Sequence, residues 1–229
     1  QRIVAEGVES CWNTAVFKNC FSLNEEYMPN ITYLGEEAFY NCSMINTLSF
    51  KDNLKTAEIQ CLSGTGITEA DFPNLTYINR AFESTPVKTA SLPKLKDLNG
   101  AFRGCTLLES VYIPNVYKIG EYAFGGCVSL PQDMDFSKIT EVGSNGFAEA
   151  PFEIIDLPNC TKLWGCAFKD AFSKTNYLDE FTPSLETVTM LEPDMILSWS
   201  SLFSDENLGN VTDWIDKGCN TYYNTNTRP

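Results

Sequence analysis

The chain has 229 residues, of which 43% are hydrophobic and 20% charged, values typical of a folded globular protein rather than a disordered or collagen-like one. Its 16 basic and 30 acidic side chains give a net charge of -14, which would repel nucleic-acid phosphates and anionic membrane surfaces. The chain has no histidine, the commonest general base and metal ligand. Composition therefore argues against nucleic-acid binding and histidine-based catalysis.

The N-terminal segment, residues 1–20, contains Trp12 and Phe17 but only a partial repeat, so we predict an N-terminal cap there. The chain begins with Gln1 rather than Met, which favours removal of a leader and hence export. No apolar run reaches the roughly 18 residues that a membrane-spanning helix needs, so we expect no membrane insertion.

From about residue 21 onward, one apolar position recurs at intervals of 20 to 24 residues, and we call it the anchor. This interval lies in the range of leucine-rich repeats. The anchors are Met28, Phe50, Phe72, Leu92, Ile113, Phe136, Leu157 and Phe181. Because the register persists over most of the chain, the sequence predicts a solenoid of stacked coils.

Further apolar columns keep the same interval. Apolar residues stand two and five positions before most anchors, which predicts a short strand with one buried face. A proline directly follows five of the anchors and is expected to end the strand, because it has no N–H to donate. A second column, six residues after most anchors, runs from Leu34 to Val188, and an aromatic plug follows ten or eleven after. The expected plugs are Phe39, Cys61, Phe82, Phe102, Phe124, Phe147 and Phe168, with Phe17 one step earlier. Each coil is thus predicted to contribute one strand, a turn and a plug.

Three segments around the plug are close variants of one phrase: 36–42, Gly100-Ala-Phe-Arg-Gly-Cys105 and Glu121-Tyr-Ala-Phe-Gly-Gly-Cys127. Over roughly residues 20–190 this phrase resembles the BspA-type leucine-rich repeat family. The resemblance implies a leucine-rich-repeat solenoid, an α/β-type horseshoe or right-handed superhelix, of about eight coils of about 22 residues. It also implies short parallel strands on one face, turns or short helical segments on the other, and adhesion or recognition by a bacterial surface or secreted protein. The family motif is structural, so it implies no active-site residue.

We expect one leucine-rich-repeat domain over residues 1–229, with repeats over 21–190 and a C-terminal cap and tail over 191–229. The segment from Leu191 to Lys217 has apolar residues near helical spacing, which favours an irregular or short-helical cap. The tail from Asn220 is polar and is expected to fray at its end.

The nine cysteines contain no CxxC pair, which argues against a metal ribbon. Several fall in a column of small residues three positions after the plug: Cys20, Cys42, Gly64, Thr85, Cys105, Cys127, Ala150 and Ala171. Our favoured interpretation is free cysteines packed as small hydrophobic residues, and the alternative is disulfides between neighbouring coils. We predict no catalytic residue and no cofactor, because the chain has no histidine to activate a thiol and no recognisable enzyme motif. We also predict no metal site, because Asp133-Met-Asp135 lacks the remaining ligands of a calcium loop.

In a strand, the residues flanking a buried one face the other way, so the positions one and three before each anchor should be exposed. We call the following candidate binding residues the acidic row: Tyr27, Glu69, Asp71, Tyr112, Asp133, Asp135 and Asp156. The expected ligand is a protein or a glycan, with a cationic segment favoured by the charge, and Glu180 would extend the same exposed positions. The opposing interpretation is that a protein of this charge exposes acids wherever it meets solvent.

The sequence therefore favours a non-catalytic, monomeric binding or adhesion module, exported by a bacterium to the cell surface or beyond. Two alternatives stay open at this point. One is a carboxylate-dependent hydrolase on the same scaffold, and the other is a purely structural spacer.

Overall fold

The computed structural model describes residues 1–171, 195–199 and 220–224. The chain forms two units, residues 1–176 and 177–229. In chain order, the strands are β1 (Arg2–Val4), β2 (Ser10–Cys11), β3 (Glu25–Tyr27), β4 (Tyr33–Leu34), β5 (Thr56–Ala57), β6 (Glu69–Asp71), β7 (Tyr77–Ile78), β8 (Thr89–Ser91), β9 (Asp97–Leu98), β10 (Ser110–Tyr112), β11 (Lys118–Ile119), β12 (Glu141–Val142), β13 (Lys162–Leu163), β14 (Met195–Trp199) and β15 (Asn220–Asn224). The first unit is a solenoid of parallel strands, so the predicted fold is confirmed. The short helical segments are not found among the described residues, where turns take their place.

The first ladder consists of the strands that directly precede the anchors. β1 pairs with β3, and β6, β8 and β10 form a three-stranded parallel sheet in which Ala70 lies opposite Ala90. In β3 and β6 the middle residue is buried and its two neighbours are exposed, as the alternation predicted. The ladder is interrupted, however, because residues 47–49, 133–135 and 154–156 form no strand.

A second ladder, which the sequence did not predict, lies one turn further along each coil. Its two parallel sheets have the strand orders β2-β4-β5-β7 and β9-β11-β12-β13, and a bridge from Asn79 to Asn99 joins them. The apolar column six residues after the anchor faces inward from these strands, and its members Leu34, Ile78, Leu98 and Ile119 are buried. The expected turn at this position is therefore wrong: each coil carries a two-residue strand there, and the column belongs to a sheet.

The aromatic plugs form a continuous stack inside the solenoid. Consecutive rings from Phe82 to Phe168 lie 5.5 to 6.0 Å apart at interplanar angles of 10 to 14°. The backbone also connects the coils here, for example from the Phe102 N–H to the Ala123 carbonyl at 3.0 Å. Together, the two ladders and the plug stack enclose one hydrophobic core along the solenoid.

One plug assignment is wrong by one residue. The Phe39 N–H donates to the Cys61 carbonyl, whereas the Leu62 N–H donates to the Ala81 carbonyl, so Cys61 aligns with Ala81 and Leu62 is the plug. The small residue of this coil is accordingly Thr65, not Gly64. The physical cause is one additional residue after Phe50, where other coils have a single proline.

All eight described cysteines are free. The thiols of Cys42, Cys105 and Cys127 donate to the plug carbonyls of the preceding coils, Phe17, Phe82 and Phe102, at 3.0 Å each. Burial raises the pKa of both Cys42 and Cys105 to about 11. These three residues are therefore inert, buried thiols, as the favoured interpretation expected.

In the second unit, β14 and β15 form a parallel pair with Met195 opposite Asn220. The expectation of an irregular or short-helical cap is wrong for Met195–Trp199, because this segment is extended and paired. The end of the tail, where we expect fraying, lies outside the described residues. The last anchor, Phe181, and the exposed position Glu180 lie outside the described residues.

Candidate binding surfaces

The structure places every residue of the acidic row on the exposed side of its coil. Glu69, Asp71 and Tyr112 lie in one sheet, on β6 and β10, and Tyr27 lies on β3. Asp133, Asp135 and Asp156 are exposed at positions where the first ladder forms no strand. The predicted exposure is thus confirmed, whereas the role of these residues in binding stays a prediction.

Local hydrogen bonds favour the charged form of one carboxylate of the row, Asp135. The backbone N–H of Ser137 donates to Asp135 Oδ1 at 2.8 Å, and hydrogen bonds from Ser137 lower the pKa of Asp135. A general acid needs the opposite shift, because it must hold its proton near neutral pH. Asp135 is therefore suited to accept hydrogen bonds from a cation, not to donate a proton.

The three segments without a strand leave four gaps in the pairing of the first ladder, and side chains bridge two of these gaps: between β3 and residues 47–49, and between residues 133–135 and 154–156. The buried Glu26 carboxylate accepts hydrogen bonds from the Ser49 N–H at 2.5 Å, the Ser49 hydroxyl at 2.8 Å and the Met28 N–H at 3.1 Å. Further along, Gln132 accepts from the Glu153 N–H at 2.9 Å and donates to the Pro151 carbonyl. These contacts replace the missing backbone pairing, so the coils stay closed at both places.

The other two interruptions form small open recesses. The Leu48 recess, between residues 46–51 and β6, has a volume of about 210 Å³ and is lined by Asn46, Thr47, Leu48, Lys51, Ile67, Glu69, Asp71 and Phe72. The Met134 recess, beyond β10, has a volume of about 160 Å³ and is lined by Val111, Tyr112, Ile113, Pro114, Val116, Met134, Asp135 and Lys138. Each combines apolar walls with carboxylates of the acidic row.

Sequence reasoning missed both recesses, although a signal was present. Proline follows the anchor in the coils that supply β3, β6, β8 and β10, but Lys51 and Ser137 take its place after Phe50 and Phe136. These are the coils whose residues 47–49 and 133–135 form no strand. The missing proline therefore marks the coils at which the recesses lie.

The outward side of the second ladder carries a third recess, of about 260 Å³, which we call the Trp164 trough. It is lined by Asn99, Lys118, Gly120, Glu121, Glu141, Gly143, Ser144 and Trp164. Its floor is glycine because a Cβ at Gly120 or Gly143 would lie 2.8 Å from the backbone of the preceding coil. The Trp164 indole N–H donates to Glu141 Oε1 at 3.0 Å, which fixes the ring at the edge of the trough.

Glu141 also belongs to a row of alternating charges along the second ladder. Lys118 lies 3.4 Å from Asp97 and 3.8 Å from Glu141, and Lys162 lies 4.0 Å from Glu141. Cross-strand pairs of opposite charge stabilise neighbouring strands modestly. The described residues contain no group of three or more acidic or cysteine side chains able to hold a metal ion. The described part of the chain also has no helix suited to crossing a membrane.

Comparison with known proteins supports the repeat assignment. The family described as "BspA type Leucine rich repeat region" matches residues 11–99 and 98–213, in six copies. No curated protein matches the chain.

The first solved structure that matches is a leucine-rich repeat protein from Bacteroides ovatus, with 16% identity and a TM-score of 0.52. The match covers 98% of this chain but 66% of that one, so this chain spans less than two thirds of its length. A leucine rich cell surface protein from Faecalibacterium prausnitzii matches at 13% identity, over 100% of this chain and 74% of that one, with a TM-score of only 0.27. The family match covers most of the chain, and the stacked coils agree with it: the chain belongs to the BspA-type leucine-rich repeat family.

Proposed function

We propose that this chain is a non-catalytic recognition module that binds a basic, extended segment of a protein partner along the first ladder. The observation that carries this proposal is the pair of recesses at the open interruptions of the ladder. Each has an apolar wall next to a carboxylate of the acidic row: Leu48 and Phe72 beside Asp71, and Val111 and Met134 beside Asp135.

Such recesses suit lysine or arginine, whose methylene stem packs on apolar surface while the charged head stays near water. In the Leu48 recess the head would reach Glu69 or Asp71, and in the Met134 recess it would reach Asp135. The Tyr112 ring, which lines the Met134 recess, adds a site for cation–π contact. The net charge of -14 attracts basic partners over longer distances and speeds their encounter.

The spacing of the recesses specifies a pattern in the partner. They lie three coils apart, which corresponds to about 14 Å at the usual separation of neighbouring strands. An extended peptide covers this distance in about four residues. We therefore expect two basic residues about four positions apart to bind better than the same residues placed closer together.

The first ladder is less suited to a glycan, and no arrangement of the described residues favours the hydrolase. Tyr27 and Tyr112 lie four coils apart, with Ser49, Asp71 and Ser91 at the positions between them, so the row offers no continuous aromatic surface. In the Trp164 trough, Glu141 is occupied by the indole N–H and two lysines, an arrangement typical of a structural carboxylate.

We further propose that the chain acts as a monomer at the bacterial cell surface or outside the cell. The support for this location is that the chain belongs to the BspA-type leucine-rich repeat family, which implies a bacterial surface or secreted protein. The division into a cap over 1–20, repeats over 21–190 and a C-terminal cap over 191–229 also stays a proposal.

The test is a binding measurement on the full chain with fluorescein-labelled Gly/Ser peptides that carry two lysines spaced two, four or six positions apart. We expect the four-residue spacing to bind best, and binding to weaken as salt rises. Asp71→Lys/Asp135→Lys/Asp156→Lys should lower affinity at least tenfold. The matched control, Glu6→Lys/Glu36→Lys/Glu149→Lys, makes the same charge change at exposed acids outside the row and should lower it about twofold. Equal losses in the two triple variants, or no binding of any peptide by the native chain, would refute the proposal and favour the spacer.

A further inference from the structure

The second ladder presents a surface separate from the acidic row and independent of the function proposed for it. We propose that the Trp164 trough binds a pyranose unit of a neutral oligosaccharide. Trp164 supplies a flat wall with 55% of its surface exposed, and its indole is held in place by Glu141. Such a ring face is suited to the apolar C–H face of a sugar.

The floor of the trough is a consequence of how the coils stack. At Gly120 and Gly143 the neighbouring backbone leaves no room for a Cβ, so the surface at two successive coils bears no side chain. Trp164 follows in the next coil at the equivalent position, and Asn99 precedes the glycines. The resulting depression extends over about 14 Å, three steps between neighbouring strands, and is open along its length. A linear chain of sugar rings therefore fits its direction, with one ring against the indole.

The polar groups of the trough match a ligand that both donates and accepts hydrogen bonds. Glu121 offers a carboxylate acceptor, and Lys118 and Ser144 offer donors, while Glu141 holds the indole in place. The two glutamates outweigh Lys118, so the trough disfavours an anionic ligand. Sugar hydroxyls act as donor and acceptor at once, so a neutral carbohydrate satisfies the whole set. Asn99 contributes its carbonyl oxygen, because its amide nitrogen donates to Asn79 at 3.2 Å.

The experiment is affinity electrophoresis of the full chain in native gels containing arabinoxylan, barley β-glucan, galactomannan or pullulan. The hexasaccharide of the most retarding polymer is then titrated by calorimetry. We expect at least one polymer to retard the native chain, and 1 M NaCl to change the affinity less than twofold, because stacking and hydrogen bonds to neutral hydroxyls dominate.

Variants locate the site. Trp164→Ala should lower the affinity at least tenfold, whereas Trp164→Phe, which keeps a flat ring, should retain part of it. The matched control is Trp12→Ala, because Trp12 is 71% exposed at the other end of the same ladder, stacked 4.2 Å from Tyr33. This variant should bind as the native chain does, and circular dichroism should show all three variants folded.

Three outcomes would overturn the inference: no retardation by any polymer, unchanged affinity in Trp164→Ala, or an equal loss in Trp12→Ala. The acidic-row variant with lysine at 71, 135 and 156 should still bind the hexasaccharide. Failure of the peptide experiment and failure of the glycan experiment are therefore distinguishable.

Discussion

Truncation of one central plug tests the assignment of the core. Phe124 is fully buried, and its ring stacks on Phe102 at 6.0 Å and on Phe147 at 5.6 Å. Removing a buried phenylalanine side chain costs about 3 to 5 kcal/mol. Each aromatic pair adds about 0.5 to 1.5 kcal/mol beyond burial, and Phe124→Ala removes two of them. We therefore expect a loss at the upper end of this range, about 5 kcal/mol.

The assay is equilibrium unfolding in urea followed by far-UV circular dichroism, comparing midpoints at an unchanged slope. Phe21→Ala is the matched control, because this phenylalanine is 59% exposed and its truncation should cost within about 0.5 kcal/mol. A loss below about 1 kcal/mol for Phe124→Ala, or equal losses in the two variants, would show that the plug stack does not support the solenoid as described.

Three further predictions follow from buried groups. Glu26→Ala should lower the free energy of unfolding in urea by about 3 kcal/mol, because it leaves the N–H of Ser49 without its carboxylate acceptor. Glu26→Gln should lower this free energy less, and equal losses in the two variants would contradict this account. N-ethylmaleimide should label the exposed Cys166 in the native chain but Cys105 only after denaturation, as mass spectrometry of the labelled peptides would show; native labelling of Cys105 would contradict its burial. The thiol of Cys105 has a pKa raised by burial from 9.0 to about 11, so its contribution to stability is complete below pH 9 and is lost as pH rises through 11. It amounts to at most about 3 kcal/mol, and native stability measured from pH 8 to 11 should fall more steeply than that of Cys105→Ala; parallel curves would contradict it.

The repeat could be predicted in detail because the buried positions of each coil are apolar and recur at a regular interval in the sequence. Every anchor from Met28 to Phe136 is buried or half-buried, and the strands before Pro29, Pro73 and Pro93 form where alternation placed them. Such columns are readable because each coil must bury equivalent positions against its neighbours.

What the pattern did not show are features shorter than one period or unique to one coil. A two-residue strand such as β4 is too short to show alternation, so the sequence alone predicts a turn where the second ladder lies. The shift from Cys61 to Leu62 depends on a single additional residue after Phe50, which an average interval conceals. For the surfaces, the exposure of Asp71 or Asp135 followed from alternation. The positions of the recesses depend on where strand pairing is absent. The position of the trough depends on which neighbouring coils have glycine on the outer side. Both features can be located only in the structure.

The uneven pairing of the two ladders has a mechanical consequence. Pairing between neighbouring coils continues along the second ladder from β2 to β13, with the bridge at Asn79 and Asn99. In the first ladder, by contrast, no backbone hydrogen bond joins residues 46–50 to 67–72 or residues 110–114 to 131–136, the segments that flank the two recesses. A force that bends the first unit will therefore spread the coils on the first-ladder side while the second ladder keeps its length. Because the first ladder can open at the two recesses while the second ladder stays paired, the distance between the recesses can adjust without loss of the core.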